Sequence, residues 1–340
     1  MIADFLLTPS TRRASRKLST AAMSRYDYHR SVLLEETIQC LRPAPGKTIV
    51  DGTLGGGGHT EALLDAGARV IGLDQDPDAL EFAGARLESF GELFTPVRSS
   101  FGRVREVLDD LGIARIDGAL LDLGVSSHQL DEPERGFSFQ KDGPLDMRMD
   151  PESPITAAAL VNTMSAEQLE RIFRTLGEEP AARKIAGRIV RDRMVRPFET
   201  TLQLAESIES VVPRRGKTHP ATRAFQALRL AVNRELDVLT EALEHFAERL
   251  APEARFAVIT FHSLEDRIVK HFFRDRSQES VDRPEWPAAR PNPDRLFRAI
   301  TTKPVTATEV ELSENPRSRS AKLRVVERLS TPYQTRTHVK

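Results

Sequence analysis

The chain has 340 residues, of which 39% are hydrophobic and 29% charged, and its formal net charge is −1. This length predicts two domains, or one large α/β domain with an insertion, and the apolar content excludes a chain that is disordered throughout. A membrane-spanning helix is excluded because no apolar run approaches about 18 residues, and the single cysteine, Cys40, excludes an internal disulfide and a cysteine-based zinc site and indicates a reducing compartment.

Residues 1–25 are basic and differ in composition from the rest of the chain. Their cationic residues are Arg12, Arg13, Arg16, Lys17 and Arg25, and Asp4 is their only acid. We expect a disordered extension here and a cytoplasmic protein. The alternative is a mitochondrial transit peptide, which has this composition and would place the protein in the mitochondrial matrix.

Strand and helix patterns alternate through the first third of the chain. Short apolar runs typical of buried strands occupy residues 48–51, 69–74, 94–97 and 116–122. Helical spacing occupies the segments between them, at residues 59–66, 77–90 and 101–111. Such alternation predicts right-handed crossovers and a parallel sheet that is covered on both faces.

The alternation stops after residue 122, and the pattern becomes helical. One long helix is predicted at 221–250, and a buried strand returns at 255–261. Two last strand candidates follow at 297–303 and 322–327. The simplest architecture is one sheet whose fourth and fifth strands are separated by a helical insertion. We therefore predict a core of residues 26–135 and 221–330, an insertion of residues 136–220 and a tail of residues 331–340.

A glycine-rich loop connects the first strand to the helix that follows it. Asp51 ends the strand, and Gly55 to Gly58 precede the helix, where backbone N–H groups meet a ligand. Asp74, at the end of the second strand, is placed to accept the hydroxyl groups of a ribose. The dinucleotide pattern G-x-G-x-x-G does not fit, whereas an acid followed by glycines fits a site for S-adenosylmethionine. A carboxylate also suits a cationic ligand better than a pyrophosphate.

The fourth strand ends in Asp122-Leu-Gly-Val-Ser-Ser127, at the edge of the sheet that faces the transferred group. Hydrogen-bond acceptors at this position favour an amine as the methyl acceptor. The lone pair of a planar exocyclic amine is delocalised into its ring, and acceptors that hold its N–H groups stabilise the developing positive charge.

Eight strings of this sequence resemble the ribosomal RNA small subunit methyltransferase H family. They are residues 29–36, 57–59, 121–131, 135–139, 142–150, 219–229, 263–267 and 315–320. The resemblance runs from His29 to Arg328 and implies a Rossmann-like, S-adenosylmethionine-dependent methyltransferase core with an inserted all-helical domain. It implies methyl transfer to the N4 amine of a cytidine in the decoding region of small-subunit rRNA. It also implies rRNA or the small ribosomal subunit as partner, and allows a homodimer.

The same resemblance implies a set of cofactor contacts. These are Gly57, Gly58, His59, Asp74, Phe101, Asp122 and Gln129. It supplies no general base. Asp122, Asp146 and His262 are the candidates for contacting the target base. The alternatives are that Asp146 is a turn carboxylate paired with Arg148, and that His262 holds the loop after its strand. The eight histidines show no spacing typical of metal ligands, so no metal is expected.

The insertion carries the basic charge of the chain. Residues 171–234 contain 14 lysines and arginines against 6 acids. We expect contacts to rRNA phosphates from Arg183, Lys184, Arg188, Arg191, Arg193, Arg196, Arg214, Arg215 and Lys217, with Arg317 and Arg319 adding to them. The alternative is that these basic residues only form solvated helix faces and bind no nucleic acid. Rival functions are methylation of another nucleic acid or of a small amine, and a non-catalytic assembly factor that binds S-adenosylmethionine.

Overall fold

A seven-stranded sheet forms the framework of the computed structural model, which describes residues 31–330 apart from 215, 217, 218 and 283. Its strands are β1 (Thr48–Asp51), β2 (Arg69–Asp74), β3 (Phe94–Arg98), β4 (Ile116–Asp122), β5 (Leu250–Thr260), β8 (Phe297–Ala299) and β9 (Lys322–Arg328). The order is β3-β2-β1-β4-β5-β9-β8; the first five strands are parallel, and β9 is antiparallel to both neighbours. A separate hairpin pairs β6 (Ser280–Val281) with β7 (Arg290–Pro291).

Helices connect the strands and cover both faces of the sheet. The helices outside the insertion are α1 (Leu34–Leu41), α2 (Gly58–Asp65), α3 (Pro77–Leu87), α4 (Val104–Asp110), α11 (Glu235–Arg249), α12 (Ser263–Asp275) and α13 (Glu309–Glu314). Leu243 and Phe246 of α11 pack on one face, and Leu63 and Leu87 pack on the other. The parallel order 3-2-1-4-5 is that of doubly wound sheets, so the predicted α/β class is confirmed.

The chain between β4 and β5 is helical, as the sequence predicts. It contains α5 (Ser127–Asp131), α6 (Ala157–Thr163), α7 (Ala166–Thr175), α8 (Ala182–Arg193), α9 (Thr201–Glu209) and α10 (Thr222–Val232). Helices α6 to α10 enclose a second apolar core around Phe173, Ile185 and Leu228. Because α10 belongs to this core, the helical unit extends beyond residue 220, the end that the sequence predicts for it.

The prediction of one helix over 221–250 is wrong. The chain forms α10 and α11, and the break lies at Asn233 and Arg234, where Arg234 has a left-handed backbone with φ 49°. The Asn233 side chain donates to the carbonyls of Met147 and Arg229 and accepts from the Met149 N–H. These bonds fasten the break to the loop that leads into the helical unit.

Other boundaries also differ from the predicted ones, and the fifth strand begins at Leu250 rather than at residue 255. Helix α3 ends at Leu87, and a 3₁₀ segment continues to Leu93. The helix predicted from residue 101 begins as a 3₁₀ turn at Phe101–Arg103, and the predicted strand 297–303 is only Phe297–Ala299. The predictions for residues 1–25 and 331–340 lie outside the described residues. No helix in the described part of the chain is long and apolar enough to cross a membrane.

Candidate active site

A cleft opens along the edge of the sheet where β1, β2 and β4 end. Six of the seven predicted cofactor contacts line it, and these are Gly58, His59, Asp74, Phe101, Asp122 and Gln129. The seventh, Gly57, lies beside the cleft as the residue before α2, with φ 76°. The parallel sheet brings these residues together because the carboxyl ends of its strands share one edge.

At two positions the glycine loop lies so close to its neighbours that a side chain would have no space. A Cβ atom on Gly52 would lie 2.5 Å from Leu121 Cδ2, and one on Gly58 would lie 2.2 Å from Ser31 Oγ. Gly55 has φ 48°, a left-handed conformation that glycine adopts readily. The loop therefore lines the cleft with backbone atoms rather than side chains.

Asp51, the acid of the predicted loop motif, stabilises the loop from inside. Its carboxylate accepts hydrogen bonds from the Thr53 N–H at 3.1 Å and from Thr60 Oγ1 at 2.7 Å. Burial raises its pKa, and these bonds oppose the rise. Asp51 is only 1% exposed and is not among the residues that line the cleft.

Asp74 lines the cleft at the end of β2. One carboxylate oxygen accepts from the Gly55 N–H and the other from the Asp76 N–H, both at 2.9 Å. Burial raises the pKa of Asp74 to about 6 despite these bonds. Each oxygen retains acceptor capacity, because a carboxylate oxygen accepts more than one hydrogen bond.

Asp122 and His59 are neighbours in the cleft, and burial shifts the pKa values of both. His59 Nδ1 lies 3.5 Å from Asp122 Oδ2, and His59 Nε2 lies 3.1 Å from the Val32 carbonyl oxygen. A carbonyl only accepts, so Nε2 carries the proton and Nδ1 presents its lone pair to Asp122. Burial lowers the pKa of His59 to about 4. The ring is therefore neutral near pH 7.

The Asp122 carboxyl group is incompletely satisfied. Its Oδ1 atom is buried without a hydrogen-bond partner among the described residues. Burial raises the pKa of Asp122 well above its usual value, and the nearby charges of Asp51 and Glu265 raise it further. An unpaired buried acceptor of this kind is costly and often marks a place where a ligand donates hydrogen bonds.

Gln129 and Phe101 have clear local roles beside the cleft. The Gln129 amide donates to Asp76 Oδ2 at 2.9 Å, and its oxygen accepts from the Ser126 N–H, so it fixes the first turn of α5. Phe101 is half-buried and packs against the core of the sheet. Each lines the cleft, Gln129 as a held polar group and Phe101 as an aromatic wall.

Two of the three catalytic candidates, Asp146 and His262, do not line this cleft. The Asp146 carboxylate accepts hydrogen bonds from Arg148 Nε at 2.8 Å and Arg148 Nη2 at 2.7 Å. Burial raises the pKa of Asp146, but the pairing with Arg148 outweighs burial and lowers it. His262 precedes α12, and its Nε2 lies 2.9 Å from Glu265 Oε1. The structure thus favours the alternatives for both, a paired turn carboxylate and a histidine that holds the loop.

The predicted phosphate contacts differ in exposure and in pairing. Arg183, Lys184, Arg191, Arg214 and Arg319 are exposed. Arg188 pairs with Asp192, Arg196 pairs with Glu199, and Arg193 donates to two carbonyls of the neighbouring α6 segment. Arg215 and Lys217 lie outside the described residues. Arg317 lines the cleft and pairs with Asp131.

Three residues at or beside the cleft were not predicted from the sequence as site residues. Thr53 Oγ1 accepts the Asp122 N–H at 2.7 Å and so fixes the end of β4. Glu265 is 2% exposed and lies close enough to raise the pKa of Asp122. Thr53 and Glu265 belong to strings that the sequence analysis singled out, the loop after Asp51 and residues 263–267. Glu235, at the start of α11, has no sequence signal because the helix break before it was not recognised.

Residues 27–329 match the family described as the MraW methylase family. The chain belongs to this family. It is 51% identical to a ribosomal RNA small subunit methyltransferase H of Syntrophotalea carbinolica, over 88% of this chain and 98% of that protein. It is 50% identical to the protein of the same name from Carboxydothermus hydrogenoformans, over 89% and 98%. A solved rRNA-methylase structure from Clostridium thermocellum has 12% identity, covers 88% of this chain and 100% of that chain, and has a TM-score of 0.42.

The methyl donor of this family is S-adenosylmethionine, and the cleft fits it. The donor carries a sulfonium, an amine, a ribose diol and an adenine. The cleft offers the unsatisfied Asp122 oxygen for a cationic N–H donor, Asp74 for hydroxyl donors and Phe101 for an apolar ring face. Among the described residues no group of three histidine, cysteine or acidic side chains could hold a metal ion.

Proposed function

We propose that the chain methylates the N4 amine of a cytidine in the decoding region of small-subunit rRNA. The observation that carries this proposal is its identity of about 50%, over almost the full length of both chains, to proteins named ribosomal RNA small subunit methyltransferase H. The cleft supports it, because the end of β4 presents a hydrogen-bond acceptor, Asp122 Oδ1, to the side of the site where the methylated amine would lie. The compartment that goes with this substrate is the cytoplasm.

S-adenosylmethionine supplies an electrophilic methyl group on its sulfonium. The protein then has two tasks, which are to hold the amine in line with that group and to stabilise the charge that develops on nitrogen. Besides the amine of the cofactor, the unsatisfied Asp122 oxygen can accept an N–H bond from the target amine at this edge, because a carboxylate oxygen accepts more than one hydrogen bond. Thr53 holds the backbone of Asp122, so the acceptor is fixed before substrate arrives.

The methylated amine must lose one proton. The raised pKa of Asp122, caused by burial and by the charges of Asp51 and Glu265, makes its carboxylate a better proton acceptor than an exposed aspartate. The neutral His59 ring carries its proton on Nε2, which donates to the Val32 carbonyl, so the Nδ1 atom that faces Asp122 is unprotonated. The proton passes to Asp122 or to water at the cleft mouth.

Four exposed basic residues of the helical unit are proposed to contact rRNA phosphates. They are Arg183, Lys184 and Arg191 on α8, together with Arg214. Phosphate contacts fix register without reading sequence, so base recognition belongs to the cleft and its surroundings. The target cytidine has to leave its stack to reach the cleft. A homodimer remains a prediction.

The decisive experiment uses undermethylated small subunits, naked rRNA and isotope-labelled S-adenosylmethionine. After incubation the RNA is digested and its nucleosides are identified by mass spectrometry. Labelled N4-methylcytidine is the expected product. Label in another nucleoside would overturn the amine specificity. Bound S-adenosylmethionine with no labelled nucleoside would instead favour the rival function, a non-catalytic assembly factor.

A further inference from the structure

A small recess opens from the cleft, on the side toward α11 and α12. It shares Thr53, Phe101, Leu123 and Met149 with the cleft. The recess and the cleft therefore adjoin each other, and these four residues belong to the lining of both.

The walls of the recess are apolar and its far end is acidic. Val238 and Leu239 of α11 join Phe101, Leu123 and Met149 as walls. Glu235 and Glu265 contribute the acidic end, from the first turns of α11 and α12. An apolar cavity with carboxylates at one end suits a flat ring whose edge carries N–H donors.

Both carboxylates are held in place by cationic or polar partners. Arg229 donates to Glu235 through Nε at 2.8 Å and Nη2 at 3.0 Å. Glu265 accepts the Phe261 N–H at 2.9 Å and lies against His262. These contacts engage both oxygens of each carboxylate, and each oxygen can still accept from a ligand in the recess, because a carboxylate oxygen accepts more than one hydrogen bond. The buried position makes such acceptors rigid.

We propose that this recess receives the pyrimidine ring of the target nucleoside, with its amino edge toward Glu235 and Glu265. The inference rests on the proposed function and names the residues that select its substrate. The recess and the cleft share Leu123 and Gly124, the two residues that follow Asp122 at the end of β4. An amine at the acidic end is thus near the end of β4, where the cofactor cleft begins.

The acidic end also selects against the other pyrimidine. A cytosine presents N–H donors at its amino edge, whereas a uracil presents a carbonyl oxygen at the same position. That oxygen would face carboxylate oxygens without a proton between them, and burying such unmatched acceptors is costly. The recess therefore discriminates amino from keto rings without reading any neighbouring base.

The first test fills the recess without changing its charge. Val238 is half-buried on α11, and V238F places a ring in the recess. We expect kcat/KM on undermethylated subunits to fall about a hundredfold or more, because the acceptor loses its position. Calorimetry should give wild-type affinity for S-adenosylhomocysteine. The matched control is T240F, on the exposed side of the same helix, which should retain activity.

The outcomes separate this inference from the proposed function. Wild-type protein that forms N4-methylcytidine, together with a folded V238F variant of unchanged kcat/KM, overturns the recess alone. Wild-type protein that methylates no amino-pyrimidine overturns both. A thermal melt checks folding of V238F, and a shared loss of activity in V238F and T240F would count against the recess.

A second measurement uses the wild-type protein and no substitution. Small subunits are reconstituted with 5-iodocytidine at the methylated position, which keeps the amino edge, and are irradiated with the protein and S-adenosylhomocysteine. We expect the cross-linked peptide to contain residues 235–239 or Met149. Cross-links confined to peptides outside the recess would overturn the inference.

Discussion

Asp122 is buried beside two other acids, and its Oδ1 has no partner in the described part of the chain. Such a group weakens the folded state, because burial and the charges of Asp51 and Glu265 all disfavour its ionised form. A residue that costs stability and lines a cleft is expected to act on a ligand. Its substitution should therefore separate binding from folding.

We predict that Asp122→Asn lowers the affinity for S-adenosylmethionine about ten- to a hundredfold, the effect of losing a charge-assisted hydrogen bond. The melting temperature should stay the same or rise, because a strained charge is removed. Asp117→Asn is the matched control on the same strand. Asp117 accepts the Thr48 N–H at 2.8 Å, so its loss should lower stability and leave affinity unchanged. Equal calorimetric affinities for Asp122→Asn and wild type would contradict the prediction.

His59 and Asp74 give the cleft opposite responses to acid. The pKa of His59 is about 4 rather than 6.5, so its contribution to stability is present above pH 6.5 and is lost as the pH falls to 4. The pKa of Asp74 is about 6 rather than 3.8, so its contribution is present below pH 3.8 and is lost as the pH rises to 6. Between about pH 4 and 6 the two contributions compensate each other.

Asp74→Asn should remove this compensation. The free energy of unfolding of the variant is expected to fall on acidification from pH 6 to 4 more steeply than that of wild type, by up to about 1.4 kcal/mol per pH unit. Guanidinium denaturation at several pH values measures both profiles. Parallel profiles of variant and wild type would show that the pKa of Asp74 is not raised in the folded protein.

At the scale of elements, the break between α10 and α11 determines where the helical unit joins the sheet. Arg234 adopts a left-handed backbone that costs a residue with a side chain about 1 kcal/mol. Its side chain pairs with Asp237, and such an exposed pair contributes little to stability. Glycine at this position would avoid the cost while keeping the break.

Arg234→Gly is accordingly expected to raise the free energy of unfolding by about 0.5–1 kcal/mol. The same substitution inside α11, Glu241→Gly, should lower it by a similar amount, since Glu241 is exposed and helical. Thermal or denaturant unfolding of the two variants gives the comparison. Destabilisation by both would mean that the left-handed residue carries no strain.

The strands β1, β2 and β4 could be predicted because buried parallel strands are continuous apolar runs that end at glycines or acids. The order of the strands could not, since local patterns do not encode which strands pair. The helix break was missed because Asn233 and Arg234 interrupt neither the apolar spacing nor the helical propensity. The signal was Asn233, a common residue at helix ends, but its bonds to Met147 and Met149 are long-range.

The candidate site was predictable to a similar extent. His59, Asp74 and Asp122 lie at strand ends or helix starts, and a parallel sheet brings these positions to one edge. Glu235 and Glu265 lie on helices that reach the site only through tertiary packing. Glu265 belongs to the string 263–267, but neither carboxylate could be placed at the site from the local sequence. The sequence left two roles open for Asp146, and the structure favours the turn carboxylate because both of its oxygens bind Arg148, a contact that the sequence alone does not show.

At the scale of the whole molecule, the candidate active site and the proposed RNA-binding residues lie on different parts of the fold. The cleft belongs to the sheet, whereas three of the exposed cations that we propose as phosphate contacts, Arg183, Lys184 and Arg191, belong to α8 of the helical unit. Burial separates the basic residues that hold the fold from those available to a polyanion. Arg193, half-buried and bonded to the Val161 and Met164 carbonyls, belongs to the first group.

Neutralising Arg183, Lys184 and Arg191 to glutamine should weaken binding to rRNA and flatten its salt dependence. The slope of log affinity against log salt is expected to fall by about 2–3, at roughly 0.7–0.9 for each phosphate that the variant no longer neutralises. The affinity for S-adenosylmethionine should not change, because none of the three residues lines the cleft. Binding of an rRNA fragment at several salt concentrations provides the measurement.

The matched control changes the same charge elsewhere, at the exposed residues Lys270, Arg274 and Lys303. Its slope should stay near that of wild type, since long-range attraction is screened beyond about 10 Å at ordinary salt. Equal reductions in both triple variants would mean that net charge, rather than α8, attracts the RNA. An unchanged slope in the α8 variant would remove this helix from the RNA-binding surface.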